Sequence, residues 1–240
     1  MIIGPGIKIG GGITISPNIT QNIYTSGLIM NLDAATLSIN PTTWTDSVNN
    51  LVFTLFGSPV YNSGNGGYLL FDGSSQYAYT STSFASLNTW TLDSWYYYNN
   101  TSSGQNGQII TEALGSNVAI NYKLGYKASG AFVSGGYHTP STWYETTPYT
   151  LTNNTWNNII CTYDGINIKI YVNGTLVQTN AGGGTLVSGS AGILLMSEWS
   201  YGNLQGILGG RLGIVRMYNK DIGSTGVTQN FNFNKSRFGL

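Results

Sequence analysis

Three glutamates, Glu112, Glu145 and Glu198, one histidine, His138, and one cysteine, Cys161, are the side chains of this chain best suited to proton transfer or covalent chemistry. Hydrolysis of a glycosidic bond uses two carboxyl groups roughly 5 to 9 Å apart, and these commonly project from alternate positions of one strand. None of the three glutamates has a second carboxylate two to four residues away. A lone histidine excludes a multi-histidine zinc site and leaves any Ser-His-Asp triad dependent on His138, with no Gly-x-Ser-x-Gly elbow to accompany it. Gly135-Gly136-Tyr137-His138-Thr139-Pro140 reads instead as an exposed loop carrying a solvated histidine. Cys161 has no partner for a disulfide or a thiolate metal site, which leaves it the role of a small core side chain. Gly182-Gly183-Gly184 lacks the Lys-Ser/Thr pair of a phosphate loop and reads as a turn. Asp33, Asp46, Asp72 and Asp164 stand beside turn residues, where an aspartate caps local backbone groups more readily than it collects a calcium ion. The chemistry predicted here is therefore binding, without catalysis and without a cofactor.

Aromatic side chains remain as the means of binding. In Trp95-Tyr96-Tyr97-Tyr98, strand alternation puts Trp95 and Tyr97 on one face and Tyr96 and Tyr98 on the other, so some rings lie outside a central core. Tyr137, Trp143, Tyr144, Trp199 and Tyr201 sit in polar, loop-like surroundings. With Tyr97 and His138 they are the candidate contacts for a sugar, which stacks on a rigid ring, or for a partner protein, which buries one.

The elements that position them are strands. Short apolar alternations recur from Gly27 onward between Gly, Asn, Ser and Asp clusters, near Leu28–Leu32, Tyr68–Phe71, Tyr77–Thr80, Trp90–Tyr98, Gln108–Thr111, Tyr122–Tyr126, Ile159–Tyr163, Ile166–Val172 and Ile214–Tyr218. That many strands imply two packed antiparallel sheets. One short helix is expected over Val227–Phe233, capped by Ser224 or Thr225. Trp156 to Val177 is the most readable stretch: Ile159, Cys161 and Tyr163 share one strand face, Asp164-Gly165 turns, and Ile166, Ile168, Ile170 and Val172 share the next. Asn173-Gly174 then supplies a two-residue turn that needs positive φ at both positions.

Residues 1–26 differ from the rest. Ile2, Ile3, Ile7, Ile9, Ile13 and Ile15 are spread among glycines and prolines in an arm with too little apolar area to fold alone. Either it lies in a groove of a neighbouring copy, as in a homo-oligomer, or it folds back as a first strand. Composition closes other routes. Nine basic and nine acidic side chains cancel, which leaves no footprint for nucleic acid or an anionic membrane. Only 8% of the chain is charged, but 13% is aromatic, enough for a buried core. No signal peptide and no membrane span is read from the sequence.

Trp156, Ile159 to Gly165 and Ile170 to Gly174 together resemble the laminin-G-like, concanavalin A-like jelly-roll domain. The likeness extends to Asn31-Leu32-Asp33-Ala34, Trp44-Thr45-Asp46, Phe71-Asp72-Gly73 with Tyr77, Trp90-Thr91-Leu92 with Trp95, and a closing strand from Gly210 to Asn219. It implies an all-β, antiparallel two-sheet jelly-roll sandwich over 27–240, preceded by the extended arm. Relatives of this kind often place an acid before the valine of the closing strand, where this chain has Gly213-Ile214, so calcium binding loses a carboxylate there. The ending from Gln229 to Gly239 and the isoleucine arm are similar to versions carried by bacteriophage virion proteins. That resemblance implies a capsid decoration or a tail or fibre component, made in the host cytoplasm and anchored to other virion proteins by its arm. It would face solvent with a glycan-binding surface; a free carbohydrate-binding module or a glycoside hydrolase of the same fold are the alternatives.

Overall fold

Alternating side chains and glycine-rich turns produce strands throughout the computed structural model, which describes residues 8–9, 13–14, 22–84, 86–98, 106–113, 120–127, 132–186, 191–200 and 203–240. In chain order they are β1 (Lys8–Ile9), β2 (Ile13–Thr14), β3 (Leu28–Asp33), β4 (Thr43–Thr45), β5 (Val52–Phe56), β6 (Val60–Asn62) and β7 (Tyr68–Asp72). Next come β8 (Tyr77–Thr80), β9 (Trp90–Tyr97), β10 (Asn106–Ala113), β11 (Ile120–Lys127), β12 (Phe132–His138), β13 (Trp143–Glu145) and β14 (Tyr149–Thr150). The last are β15 (Trp156–Tyr163), β16 (Asn167–Val172), β17 (Thr175–Ala181), β18 (Ile193–Leu195), β19 (Glu198–Ser200), β20 (Asn203–Gln205) and β21 (Gly209–Tyr218), followed by helix α1 (Gly223–Asn234).

Two antiparallel sheets form the expected sandwich. One runs β13-β12-β11-β10-β18-β8-β5-β4, with β14 beside β12; the other runs β17-β16-β15-β9-β21-β7-β6, with β3 beside β21. We call them the front and back sheets. Between them lies the main core, to which the front sheet sends Trp44, Phe53, Ala78, Tyr122, Leu124, Tyr126 and Leu195, and the back sheet Leu92, Tyr96, Ile159, Cys161, Ile170 and Val215.

The central strands of the back sheet, β9, β15 and β21, are buried on both faces. Trp95, Trp156, Ile214, Tyr68 and Phe238 form one outer cluster, and Ile160, Tyr171, Tyr218, Ile222 and Val227 a second. α1 and the tail after it cover both, with the Trp95 ring stacked on Phe238 at 4.3 Å and on Phe231 at 6.0 Å. Between the clusters lies a buried polar network. Arg216 pairs with Asp93 at 3.2 Å and donates to Asn31 at 2.9 Å, while Asn158 and Asn230 donate to Asp93 at 2.8 and 2.9 Å. A charge is tolerated at such depth because every side of it meets a partner. Tyr24 extends the same cover, its N–H donating to Asn230 at 2.8 Å and its carbonyl accepting from the Tyr218 hydroxyl at 3.0 Å.

Trp95 and Tyr97 do lie on the opposite face from Tyr96 and Tyr98. Asn173 and Gly174 turn β16 into β17 with φ of 51° and 78°. Two expectations need correction. Ile166 does not join the apolar row: it sits in the turn, 71% exposed, and β16 starts at Asn167. The helix starts earlier than expected and takes no cap from Ser224 or Thr225; Asp221 accepts instead from the Gly223 N–H at 2.8 Å. Of the arm, Ile2, Ile3, Ile7 and Ile15 lie outside the described residues, while Ile9 pairs with Ile13 in the β1–β2 hairpin. Among the described residues no helix is long and apolar enough to cross a membrane.

Candidate functional site

The outer face of the front sheet differs from its counterpart. α1 and the tail pack on the back sheet, and the front sheet carries a row of directly opposed residues across eight strands, whose middle members Leu194 and Thr111 are buried, the Thr111 hydroxyl donating to the Ser197 carbonyl at 3.0 Å just before β19. In register this row is Thr43, Thr54, Tyr79, Leu194, Thr111, Lys123, Gly136 and Glu145. At about 4.8 Å per strand, Tyr79 and Glu145 stand about 24 Å apart.

One end of the row is aromatic. Tyr77 and Tyr79 point outward because Ala78 and Thr80, which alternate with them, face in, and Phe56 stacks on Tyr77 with centroids 4.7 Å apart and planes 5° apart. Trp199 on the short β19–β20 hairpin closes the other wall. With Ala191 and Leu194 these rings line an apolar groove of about 400 Å³. Phe56 and Trp199 remain 38% and 36% exposed, a degree of aromatic exposure that marks a binding surface when the rings are contiguous.

The other end is polar and flat. Glu145 accepts from Lys123 at 2.9 Å, from Ser134 at 2.8 Å and from the Trp143 indole at 3.0 Å. Burial opposes its ionisation, but the Lys123 charge and these hydrogen bonds outweigh that and hold the carboxyl below its ordinary range. Glu198 behaves oppositely: burial pushes its carboxyl up, and donation from Gln108 at 2.9 Å and the charge of Lys123 offset this only in part. Glycines make the floor. A Cβ at Gly136 would stand 2.4 Å from the Trp143 ring, and one at Gly125 would stand 2.3 Å from Gln108 Oε1, so both side chains lie down on bare backbone.

Of the predicted contacts, the structure brings Trp143 and His138 together at the polar end, ring centroids 6.1 Å apart, and puts Trp199 in the aromatic groove. His138 is not in a solvated loop: it ends β12, half-buried, with Nδ1 2.5 Å from the Thr139 carbonyl. Tyr137 belongs to the core, packed among Trp90, Tyr163 and Tyr144, because β12 runs through the glycines that suggested a loop. Tyr144 stacks beneath it at 5.4 Å and is half-buried. Tyr97 lies on the back sheet between Trp156 and the Arg211 guanidinium, away from the other candidates. Tyr201 falls outside the described residues. Phe56, Tyr77, Tyr79, Lys123 and Gln108 were missed, although the alternation in Tyr77-Ala78-Tyr79-Thr80 was a usable signal for two rings on one face.

The four turn aspartates cap backbone as expected. Asp46 accepts from the N–H groups of Asn31, Val48 and Asn49, and Asp72 from those of Ser74, Ser75 and Gln76. Asp33 accepts from Ala35, and Asp164 from Ile166 and Asn167. Position 213 has no room for a carboxylate: a Cβ there would meet the Phe238 ring at 2.7 Å, and Ile214 is buried in the same aromatic cluster. Among the described residues no three of His, Cys, Asp and Glu come together elsewhere.

Residues 71–227 match the family model described as the concanavalin A-like lectin/glucanases superfamily. The chain belongs to this superfamily. No curated protein matches it by sequence. Among solved structures, the receptor-binding domain of botulinum neurotoxin C/D mosaic serotype aligns with a TM-score of 0.64 at 12% identity, covering 86% of this chain and 51% of that one. The botulinum neurotoxin type G receptor-binding domain aligns at 0.62 and 14%, covering 86% and 51%. Domain 4 of AbnA, an extracellular arabinanase from Geobacillus stearothermophilus solved with arabinotriose, aligns at 0.64 and 15%, covering 85% and 98%. This superfamily member thus spans about half of the neurotoxin domains and nearly all of the arabinanase domain. At these identities the likeness shows the shared fold.

Proposed function

We propose that the chain is a non-catalytic glycan-binding module that uses the outer face of its front sheet. The observation that carries this is the groove of Phe56, Tyr77, Tyr79 and Trp199, contiguous rings left open on one sheet face while the chain covers the other. Sugars present apolar C–H faces to such rings and hydroxyls to the carboxylates, amides and lysine beside them. Two relatives by fold support the reading: the arabinanase domain was solved with arabinotriose, and cell entry of botulinum neurotoxin type C depends on two ganglioside molecules. Glycan-array screening of the wild type and Trp199→Ala tests it. Binding that disappears with Trp199 is expected; a wild type silent on every glycan refutes the reading.

A hydrolase is disfavoured because both Glu145 oxygens are already engaged, by Lys123 and Ser134 on one and Trp143 on the other. Glu145→Gln, Glu198→Gln and Glu112→Gln should release no less sugar from host polysaccharides than the wild type. Any loss of a measurable cleavage would restore the enzyme. The module's placement on a phage particle, among copies of itself and other virion proteins, rests on the likeness of its ending and on the β1–β2 hairpin in an isoleucine arm. Deleting residues 1–21 spares Tyr24 and its contacts. Normal occupancy of the deletion variant in particles would refute anchoring by the arm.

A further inference from the structure

We infer that Arg211 is the centre of a second ligand site, on the outer face of the back sheet, which takes the carboxylate or sulfate of an acidic sugar. That the oxyanion arrives on a sugar rests on the glycan-binding reading; the oxyanion site itself does not.

The chain has three arginines, and two of them are tied down. Arg216 is buried against Asp93 and Asn31, and Arg237 donates to Asp33 and to the carbonyls of Asn65 and Gly67. Arg211 differs. All nine Asp and Glu side chains lie among the described residues, and none of them pairs with it; four are paired with other cations. Its guanidinium donates to no other described residue either. What holds it is aromatic: the guanidinium carbon stands 4.2 Å from the centre of the Tyr97 ring and 5.2 Å from that of Tyr68. A ring face attracts the charge but leaves the N–H donors without an acceptor. The rings are themselves fixed, because Trp156, 4% exposed, meets both edge-on, at 5.8 Å from Tyr68 and 5.7 Å from Tyr97. The cation is therefore positioned before any ligand arrives.

Cross-strand register places Arg211 in a row that runs out from under the tail. Trp156, Tyr97, Arg211, Leu70 and Val60 are directly opposed across β15, β9, β21, β7 and β6. Phe238 covers Trp156; Tyr97, Arg211 and Leu70 are half-buried, and Val60 is 57% exposed. Leu70 is one strand spacing from Arg211 and Val60 two, about 10 Å. A sugar can rest its C–H face on this aliphatic shelf and bring a carboxylate or sulfate to the guanidinium, whose planar fork matches two oxygens at once. A neutral sugar gains nothing from the charge, and an amino sugar is repelled by it. The Tyr68 and Tyr97 hydroxyls, which have no partner among the described residues, add donors on the same two rings.

The test follows the arginine Nε–H signals of the full-length chain by proton–nitrogen NMR as glucuronate, sulfated glucose, glucose or inorganic sulfate is added at constant ionic strength. Arg211→Lys assigns the signal by deleting it. Glucuronate and sulfated glucose are expected to shift the Arg211 signal saturably and to leave those of Arg216 and Arg237 in place, and glucose to shift none. Arg211→Met, which keeps an apolar stem over the rings and removes the fork, should weaken glucuronate binding about tenfold to a hundredfold by calorimetry. Trp199→Ala, on the other side of the sandwich, should leave it unchanged. A wild type whose Arg211 signal gives no saturable shift with either acidic sugar overturns the site, whatever the variants do. Inorganic sulfate that binds as tightly as the sugars overturns the sugar and leaves an oxyanion site. Loss of glucuronate binding in Trp199→Ala moves the acidic sugar to the groove and overturns the assignment to Arg211. Neutral glycans bound by a chain that gives no Arg211 shift refute this inference alone, and a shift in a chain silent on neutral glycans refutes the groove alone.

Discussion

Gly213 and Phe238 offer a sharp test of how the back sheet is closed. Phe238 is 3% exposed, stacked on Trp95 at 4.3 Å and against Trp156 at 4.6 Å. Truncating a buried phenylalanine to alanine costs about 3 to 5 kcal/mol, and the lower figure applies here because a chain end can close over part of the gap. For a domain of this size that is a fall in Tm of roughly 6 to 12 °C. Gly213→Ala adds one methyl, whose carbon would stand 2.7 Å from two Phe238 ring atoms, well inside contact distance. Overpacking of that kind costs about 1 to 3 kcal/mol. Gly213 is not among the positive-φ residues, so alanine suffers no backbone penalty and the clash is the whole effect. In the Phe238→Ala background the clash has no second partner, and Gly213→Ala should cost about zero. The two changes are therefore expected to be sub-additive by about 1 to 3 kcal/mol in a urea-unfolding double-mutant cycle. Additivity within 0.5 kcal/mol, roughly the error of such cycles, would show that the tail does not rest on Gly213.

Asp93→Ala should cost about 3 to 5 kcal/mol by the same measurement, because it strands the buried Arg216 charge and takes one acceptor each from Asn158 and Asn230; a cost under 1 kcal/mol would mean that water reaches the network. Tyr77→Ala, which removes the ring under Phe56 and opens a groove wall, should weaken glycan binding about tenfold with little change in Tm, since Tyr77 is only half-buried. Glu145 has a lowered carboxyl in the folded state, so its contribution is present above about pH 4.5 and is lost as pH falls through the folded value. With its side chain 28% exposed, that contribution is at most about 1 kcal/mol. Lys123→Met removes the main charge holding Glu145 down, and urea midpoints between pH 6 and 3 should then flatten; an unchanged acid limb would exclude this pair as its source.

Much of the scaffold was legible because each strand facing the main core repeats with period two. Ile159, Cys161 and Tyr163 face in from β15 and Ile168, Ile170 and Val172 from β16, as alternation requires. The turn aspartates were legible for a similarly local reason, since each accepts from a backbone N–H two to four residues further on, although Asp46 also takes the distant Asn31 N–H. What failed was the inference from glycine to loop. Gly135 and Gly136 are strand residues whose missing side chains make room for others: a Cβ at 135 would sit 2.2 Å from Cys161 Sγ, and at 136 it would enter the Trp143 ring. Those neighbours come from β15 and β13, and nothing in the local sequence announces them. Read as a loop, the segment sent Tyr137 to the surface, although it fills the core beside Trp90. The groove was hidden by the opposite ambiguity. In Val52-Phe53-Thr54-Leu55-Phe56 both parities carry large apolar side chains, so composition alone could not say that Phe53 and Leu55 face in while Phe56 faces out.

The contrast between the two outer faces bears most directly on function. A sheet face carrying Trp95, Trp156 and Ile214 would cost tens of calories per Å² if left wet, and α1 with its tail removes that exposure. Phe56, Tyr77, Tyr79 and Trp199 form a comparable surface on the front sheet and stay open to a ligand. Their rings are already arranged, Phe56 and Tyr77 nearly parallel on adjacent strands, so a ligand need not pay to order them. The polar end is equally prepared, with Glu145 tied on both oxygens and Trp143 lying flat on Gly136. A long glycan chain laid across the front face would stack at Tyr79, pass over β19, which packs above the buried Leu194 and Thr111, and meet hydrogen-bonding groups at Lys123, three strands on. Oligosaccharides should therefore gain affinity with length up to about 24 Å, the span from Tyr79 to Glu145, and gain nothing beyond it. A series of one to eight units measured by calorimetry decides this: affinity already saturated at a single unit would confine recognition to the aromatic groove alone.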